Sequence, residues 1–157
     1  MATIEKALQI AARAHEGQKD KEGLPYILHP LRAMMRVEGE EAQIAAIFHD
    51  VIEDTSVTAD DLRQAGFSET VVNAVLCLTH RKEEPYADYV VRCKGNAIAR
   101  RVKLADLGDN SGLSRTILRP DRIEPAIERV RKYLLAYKFL TDMLTEDQYR
   151  GAMAGKG

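Results

Sequence analysis

Two ionisable pairs, His49-Asp50 and Glu53-Asp54, sit in the run Ile47-Phe48-His49-Asp50-Val51-Ile52-Glu53-Asp54, which otherwise reads as a buried apolar helix. Burying such groups is costly unless a cation or a reaction uses them. Residues four apart share a helical face, so the spacing places His49 above Glu53 and Asp50 above Asp54. One turn then offers a metal-ligand pair and a carboxylate pair suited to moving a proton. The competing reading is a solvated acidic end on an ordinary core helix.

Two further segments weigh against that alternative. Pro25-Tyr26-Ile27-Leu28-His29-Pro30-Leu31 sets a histidine on a rigid proline-bounded corner, with Pro30 placed for the first position of the following helix. Val102-Lys103-Leu104-Ala105-Asp106-Leu107-Gly108-Asp109-Asn110 puts Asp106 in an apolar helical stretch, where a lone carboxylate needs a partner. His29, His49, Asp50 and Asp106 form a mixed nitrogen and oxygen donor set suited to Mn, Fe, Co or Zn, with positions left open for water and substrate.

The elements that must position these groups are helical almost throughout. Ile4, Ala7, Leu8, Ala11 and Ala12 define an amphipathic first helix ended by Gly17. A loop runs to His29, and a helix is predicted from Pro30 to about Val37. The central helix is predicted from Glu40 to Glu53, its nearly all-round apolarity marking the middle of a bundle. Thr58-Ala59-Asp60-Asp61 and Ser68-Glu69-Thr70 read as N-caps of helices ending near Gly66 and Thr79. Another helix begins after Pro85, the Asp106 helix starts near Asn96, and a last long one runs from Pro120 to about Leu144. The fold class expected is all-α, a single domain over residues 1–144, with 145–157 a frayed tail carrying two glycines in its last three residues.

The order His, then His-Asp, then Asp is similar to that of the HD superfamily of metal-dependent phosphohydrolases. The segments His15-Glu16-Gly17-Gln18, Gly23 to Pro30, His49 to Thr55 and Val102 to Asp106 resemble, more narrowly, the hydrolase domain of the Rel/Spo stringent-response enzymes and the small alarmone hydrolases. The resemblance spans roughly residues 3 to 140, and ordered motifs at compatible spacing are specific where an HD pair alone is weak. It implies an HD-domain helical bundle with a central HD-bearing helix. It further implies that His29, His49, Asp50 and Asp106 hold one divalent metal, usually Mn²⁺, and that Glu53 and Asp54 orient or deprotonate the attacking water. Lys21, Asn110, Arg129 and Tyr133 match its substrate contacts. The chain departs from the family in two places. Arg-Lys-Ser becomes Asp20-Lys21-Glu22, and Arg-Leu-His-Asn after the last metal ligand becomes Leu107-Gly108-Asp109-Asn110. Both changes remove basic groups and bear on specificity for a polyanion.

The activity implied is release of pyrophosphate from the 3′ position of a guanosine polyphosphate. The alternatives are a phosphohydrolase for another nucleotide or phosphoester, such as a deoxynucleotide or NADPH, and a non-catalytic nucleotide-binding regulator. At 157 residues and 45% hydrophobic content the chain suits one domain with a real core. No apolar run is long enough to span a membrane, no signal-peptide core is present, and cytoplasmic residence is expected. A net charge of -1 gives no overall attraction for nucleic acid or membrane, so a small-molecule nucleotide is the expected partner. Clusters at Arg100 to Lys103, Arg115 to Arg122 and Arg129 to Lys132 offer either a basic rim around an anionic ligand or, for most of them, solvated helix faces. His15 reads as a cap or loop support, His80 as a surface loop residue with a substrate contact as the alternative, and Tyr86 and Tyr89 as helix packing rather than a base-stacking platform. Cys77 and Cys93 read as packing thiols rather than a disulfide.

Overall fold

In a computed structural model of the chain, residues 2–112 and 123–155 are described. Eight helices precede residue 112: α1 (Ile4–Ala14), α2 (Leu28–Met34), α3 (Glu40–Phe48), α4 (Val51–Asp54), α5 (Ala59–Gln64), α6 (Glu69–Leu78), α7 (Tyr86–Lys94) and α8 (Ala97–Asn110). Two follow residue 123: α9 (Ile123–Leu140) and α10 (Glu146–Met153). Extended pairing among the described residues is a single bridge, Lys19 with Pro25, at the neck of the loop before α2. No helix there is long and apolar enough to cross a membrane.

The bundle is built around α3. Ala42, Ile44, Ala45, Ala46, Ile47 and Phe48 are all buried, leaving it no solvent face beyond its acidic first turn. Helices α1, α2, α6 and α8 pack on it from different sides. Its alanines keep the stem thin, so neighbouring backbones approach closely and the buried apolar surface supplies the main stabilisation. Helix α8, also largely buried, packs on α2, α3, α6 and α7. The helices that carry the His-Asp and Asp motifs are thus the two most enclosed.

The caps follow the sequence. Thr58 forms a capping box with Asp61, Ser68 accepts from the Val71 amide, and Asn96 accepts from Ile98 and Ala99. Three boundaries differ from expectation. The predicted helix over 40–53 is divided at His49-Asp50, where Asp50 has φ -108° and ψ -3° and the next turn restarts as α4. Helix α2 begins at Leu28, so Pro30 is its third residue rather than its first. First-turn amides have no intrahelical acceptor, so a proline is tolerated at either place, and His29 moves from the corner into the helix.

The third difference is the C-terminal segment. Thr145 and Gln148 form a capping box, and residues 146–153 make a helix rather than a frayed tail. Tyr149 supplies the anchor, fully buried and stacked on Phe139 with centroids 4.7 Å apart. A single aromatic in an otherwise polar stretch gave too little periodicity to announce this packing. The cluster Arg115 to Arg122 and the expected start of the last helix at Pro120 lie outside the described residues.

The turn between α6 and α7 is held by Arg92. Its guanidinium donates to the carbonyls of Leu76, Cys77 and Thr79 and pairs with Glu84 at 2.7 Å. It thereby satisfies orphan carbonyls at the end of α6 and fixes the loop carrying His80. Both thiols are free, with Cys93 buried and Cys77 half-buried.

Two tests follow from this packing. Tyr149→Ala should lower unfolding stability by about 3–5 kcal/mol in a urea titration, the usual cost of truncating a buried aromatic. Arg92 holds the Glu84 carboxyl below its ordinary value, so the pair's stabilisation should be present above the unfolded carboxylate range and vanish as pH falls through the depressed value. The stability gap between the wild type and Glu84→Gln, measured from neutral to acidic pH, should therefore close on acidification.

Candidate active site

Four side chains from three places in the fold meet at one point. His29 comes from the first turn of α2, His49 and Asp50 from the break between α3 and α4, and Asp106 from the middle of α8. His49 Nε2 lies 3.1 Å from His29 Nε2 and 2.9 Å from Asp50 Oδ2. His29 Nε2 lies 3.1 Å from Asp106 Oδ1, and the remaining imidazole–carboxylate separations are 3.7 Å. The break at Asp50 makes this possible. In a continuous helix, successive side chains diverge by about 100° and could not share a point.

The tautomers decide what this cluster wants. His49 Nδ1 faces the Ala46 carbonyl oxygen at 2.7 Å, and His29 Nδ1 faces Asp109 Oδ2 at 2.7 Å. Each partner is an acceptor, so both Nδ1 atoms carry a hydrogen and the two Nε2 atoms face each other. Two carboxylate oxygens join them in a buried setting, and only a cation or protons relieve the repulsion. Accordingly, although burial alone would lower it, Asp50 and Asp106 push the His49 imidazole well above its usual value. Burial would raise Asp50, but His49 beside it holds that carboxyl at about 2. A first-row divalent ion at about 2.0–2.2 Å from each donor would set adjacent donors about 3–3.5 Å apart, matching these spacings. The donor set therefore fits a metal, with ligand atoms of His29, His49 and Asp50 all within 4.8 Å of one another and Asp106 3.1 Å from His29.

Each donor is itself supported. Tyr26 donates to Asp50 Oδ2 at 2.5 Å. Asp106 Oδ2 accepts from Lys103 Nζ at 2.7 Å, and its Oδ1 accepts from Asn110 at 2.6 Å. Burial would strip the Lys103 proton, but Asp106 holds this lysine charged, well above its ordinary value. Asp109, also buried, takes a two-pronged contact from Arg32 at 2.8 and 3.0 Å while orienting His29. That is the carboxylate–histidine arrangement that fixes ring orientation and basicity in metal sites.

Around the cluster opens a cavity of about 590 Å³. Glu53 and Asp54 line it on one side. Burial and the neighbouring Asp50 charge raise both carboxyls above their ordinary values. Glu53 is held by the His80 main-chain amide at 2.9 Å, and the Asp54 carbonyl oxygen accepts from Gln18 at 3.1 Å. Lys21, Asn110, Arg129 and Tyr133 all line the same cavity, the last two from α9.

Several residues escaped the sequence reading. Lys103, Lys132 and Tyr86 line the cavity, and so does His80, in a loop as expected and in line with the alternative left open for it. Lys103 and Lys132 are thus not part of a solvated face. The signal for Lys103 was present as the i,i+3 pair Lys103-Asp106 in an apolar helix, whereas Lys132 and Tyr86 meet only in the folded chain. His15 does support the loop, with Nδ1 2.8 Å from Gln18 Oε1 and its ring 4.9 Å from that of Tyr26. Asp20 is not simply a charge facing a polyanion. Its Oδ1 accepts from the Glu22 and Leu24 amides at 2.9 and 3.0 Å and shapes the loop that carries Lys21.

No family model matches the chain. It is similar to a guanosine-3′,5′-bis(diphosphate) 3′-pyrophosphohydrolase of Vibrio cholerae serotype O1, 36% identical over 134 residues, covering 76% of this chain and 19% of that protein. It is similar to the bifunctional (p)ppGpp synthase/hydrolase SpoT of Escherichia coli K12, 34% identical with the same coverage. The chain thus spans about one fifth of the length of these relatives. Among solved structures, a metazoan ortholog of SpoT described as hydrolysing ppGpp shares the fold. Its TM-score is 0.63 at 24% identity, covering 91% of this chain and 96% of that one.

The Asp109 contact leads to a direct test. Asp109→Ala should weaken Mn²⁺ affinity about 10–100-fold, read by competition with a chelating dye, while Asp109→Asn, which keeps an acceptor for His29, should lose less. Unchanged affinity in the alanine variant would remove Asp109 from the metal site.

Proposed function

We propose, for a chain that belongs to the HD-type Rel/Spo family, a metal-dependent phosphohydrolase that releases pyrophosphate from the 3′ position of guanosine-3′,5′-bis(diphosphate). The observation that carries this reading is the convergence of two imidazole Nε2 atoms and two carboxylates beside a second, protonatable carboxyl pair. A site that only bound metal would have no use for Glu53 and Asp54 with raised affinities for a proton.

His29, His49, Asp50 and Asp106 would hold one divalent cation, Mn²⁺ in our reading, and the chemistry it supplies when bound is a water of lowered pKa and a polarised phosphoryl oxygen. Glu53, anchored by the His80 amide, takes the proton of the attacking water as its oxygen bonds to phosphorus. Asp54 shares that proton load, since two neighbouring carboxylates resist ionising together. The bond from phosphorus to the 3′ oxygen breaks, that oxygen regains a proton, and pyrophosphate departs. Tyr26 keeps Asp50 aligned, and burial together with Asp50 raises the phenol far above its ordinary value, so it stays a donor throughout. Lys21, Asn110, Arg129 and Tyr133 contact the nucleotide and its phosphates from the cavity rim. The nucleotide is a small soluble substrate, consistent with action in the cytoplasm.

A nucleotide panel assayed with Mn²⁺ tests the reading through its products. Pyrophosphate and a guanosine 5′-diphosphate from the bis(diphosphate) are expected, whereas inorganic phosphate from monophosphates would make the protein a nucleotidase. Glu53→Gln and Asp54→Ala should each reduce turnover about 10²–10⁴-fold with Mn²⁺ binding nearly intact. Asp106→Ala should lose metal and activity together. Full activity in both the Glu53 and Asp54 variants would overturn the mechanism.

A further inference from the structure

The same cavity holds a group of side chains that the metal chemistry does not use. Helix α7 brings two tyrosines to it, and they differ in one respect. Tyr89 donates its hydroxyl to the Leu78 carbonyl at 2.7 Å and serves packing. Tyr86, three residues earlier, has a buried hydroxyl with no hydrogen-bond partner among the described residues. Buried polar groups are normally bonded, and a hydroxyl on a cavity wall is placed to bond a group that enters the cavity. Burial pushes this phenol up to about 12, and at neutral pH it retains its proton and can donate.

Two ammonium groups flank the Tyr86 ring. Lys132 Nζ lies 4.3 Å and Lys103 Nζ 5.8 Å from its centroid. Lys103 is already committed to Asp106. Lys132 is half-buried, and among the described residues no carboxylate forms an ion pair with it. Burial first, then the charges of Lys103, Arg129 and Lys21, pull Lys132 below its ordinary value, with Glu128 offsetting only in part. The Lys132 ammonium and the Tyr86 hydroxyl, side by side on the cavity wall, suit an anion with several acceptor oxygens.

We propose that Tyr86 and Lys132 form a specificity subsite for a phosphoryl group of the substrate other than the one under attack. The phenol donates one hydrogen bond and the ammonium a charge-assisted second. The site would then favour nucleotides phosphorylated at two positions over those carrying a single phosphoryl group. The anion's identity as part of a nucleotide rests on the phosphohydrolase reading; the anion-binding character rests on these side chains. A purely structural role, with Lys132 resting on the ring face as a cation–π contact, makes a different forecast for Tyr86→Phe, which keeps the ring and removes only the hydroxyl.

The probe is guanosine 5′-diphosphate, which offers a second diphosphate but no 3′ group to cleave, titrated calorimetrically into Mn²⁺-loaded protein. Tyr86→Phe and Lys132→Gln should each weaken its binding about tenfold or more, with thermal stability and Mn²⁺ affinity of the phenylalanine variant unchanged. In turnover of the bis(diphosphate), the same variants should raise KM with little change in kcat. Wild-type-like affinity in both variants, or no binding by the wild type, overturns the subsite. A loss confined to Lys132→Gln overturns the role of the phenol. Absence of hydrolysis for every nucleotide overturns the phosphohydrolase reading but leaves the binding comparison intact.

Discussion

Mutual repulsion among four donors is the constraint on which the rest of the molecule depends. Two imidazole Nε2 atoms and two carboxylates are forced within 3.7 Å along every imidazole contact described, on the inner wall of the cavity. Left uncompensated, such an arrangement would open the bundle, because removing charge from water costs several kcal/mol per ion even after relaxation. The protein meets this by committing its most enclosed helices to the site. Helix α3 has no solvent face beyond its first turn, and α8 is clamped among α2, α3, α6, α7 and α9. The donors cannot swing apart without displacing the core, so the free energy of a bound cation feeds directly into folded-state stability.

Helix α8 organises that site along one stripe. Lys103, Asp106 and Asp109 succeed one another at three-residue intervals, with Asn110 beside Asp106. Asp106 receives a cation on one oxygen and an amide on the other, while Asp109 reaches across to His29. A single helical face therefore supplies a ligand, its counter-charge and the orienting group of a ligand on another helix. Rigidity of this kind holds a donor to the small tolerances that catalysis requires.

Much of this was legible from residue types and order. The all-α class and the caps at Thr58 and Ser68 were written in local patterns, and the order of His29, His49, Asp50 and Asp106 along the chain named the side chains that meet. What the sequence concealed depends on tertiary packing. The division at His49-Asp50 has no glycine or proline to announce it and arises because both side chains must reach one point. Helix α10 depends on one aromatic stacked on Phe139, and Tyr86 with Lys132 belong to helices far apart in the chain. Periodicity reports which face of an element is apolar, not which elements lie opposite.

The stretch Leu107-Gly108-Asp109, where the resemblance leads one to expect basic and imidazole groups, illustrates the same limit from the other side. Read along the chain it is a loss of cations. In the fold it is a rearrangement centred on a buried carboxylate. Leu107 joins the core, and Asp109 turns to His29 and draws Arg32 and, at 3.7 Å, Arg36 from α2 and the residues just after it. Gly108, inside a helix where glycine costs about 1 kcal/mol relative to alanine, lies so close to Arg36 that a Cβ would stand 2.8 Å from its Nη1. The glycine clears the path along which that arginine approaches α8. The positive charge that seemed lost from one helix is supplied by another, where it holds the carboxylate that orients a candidate metal ligand.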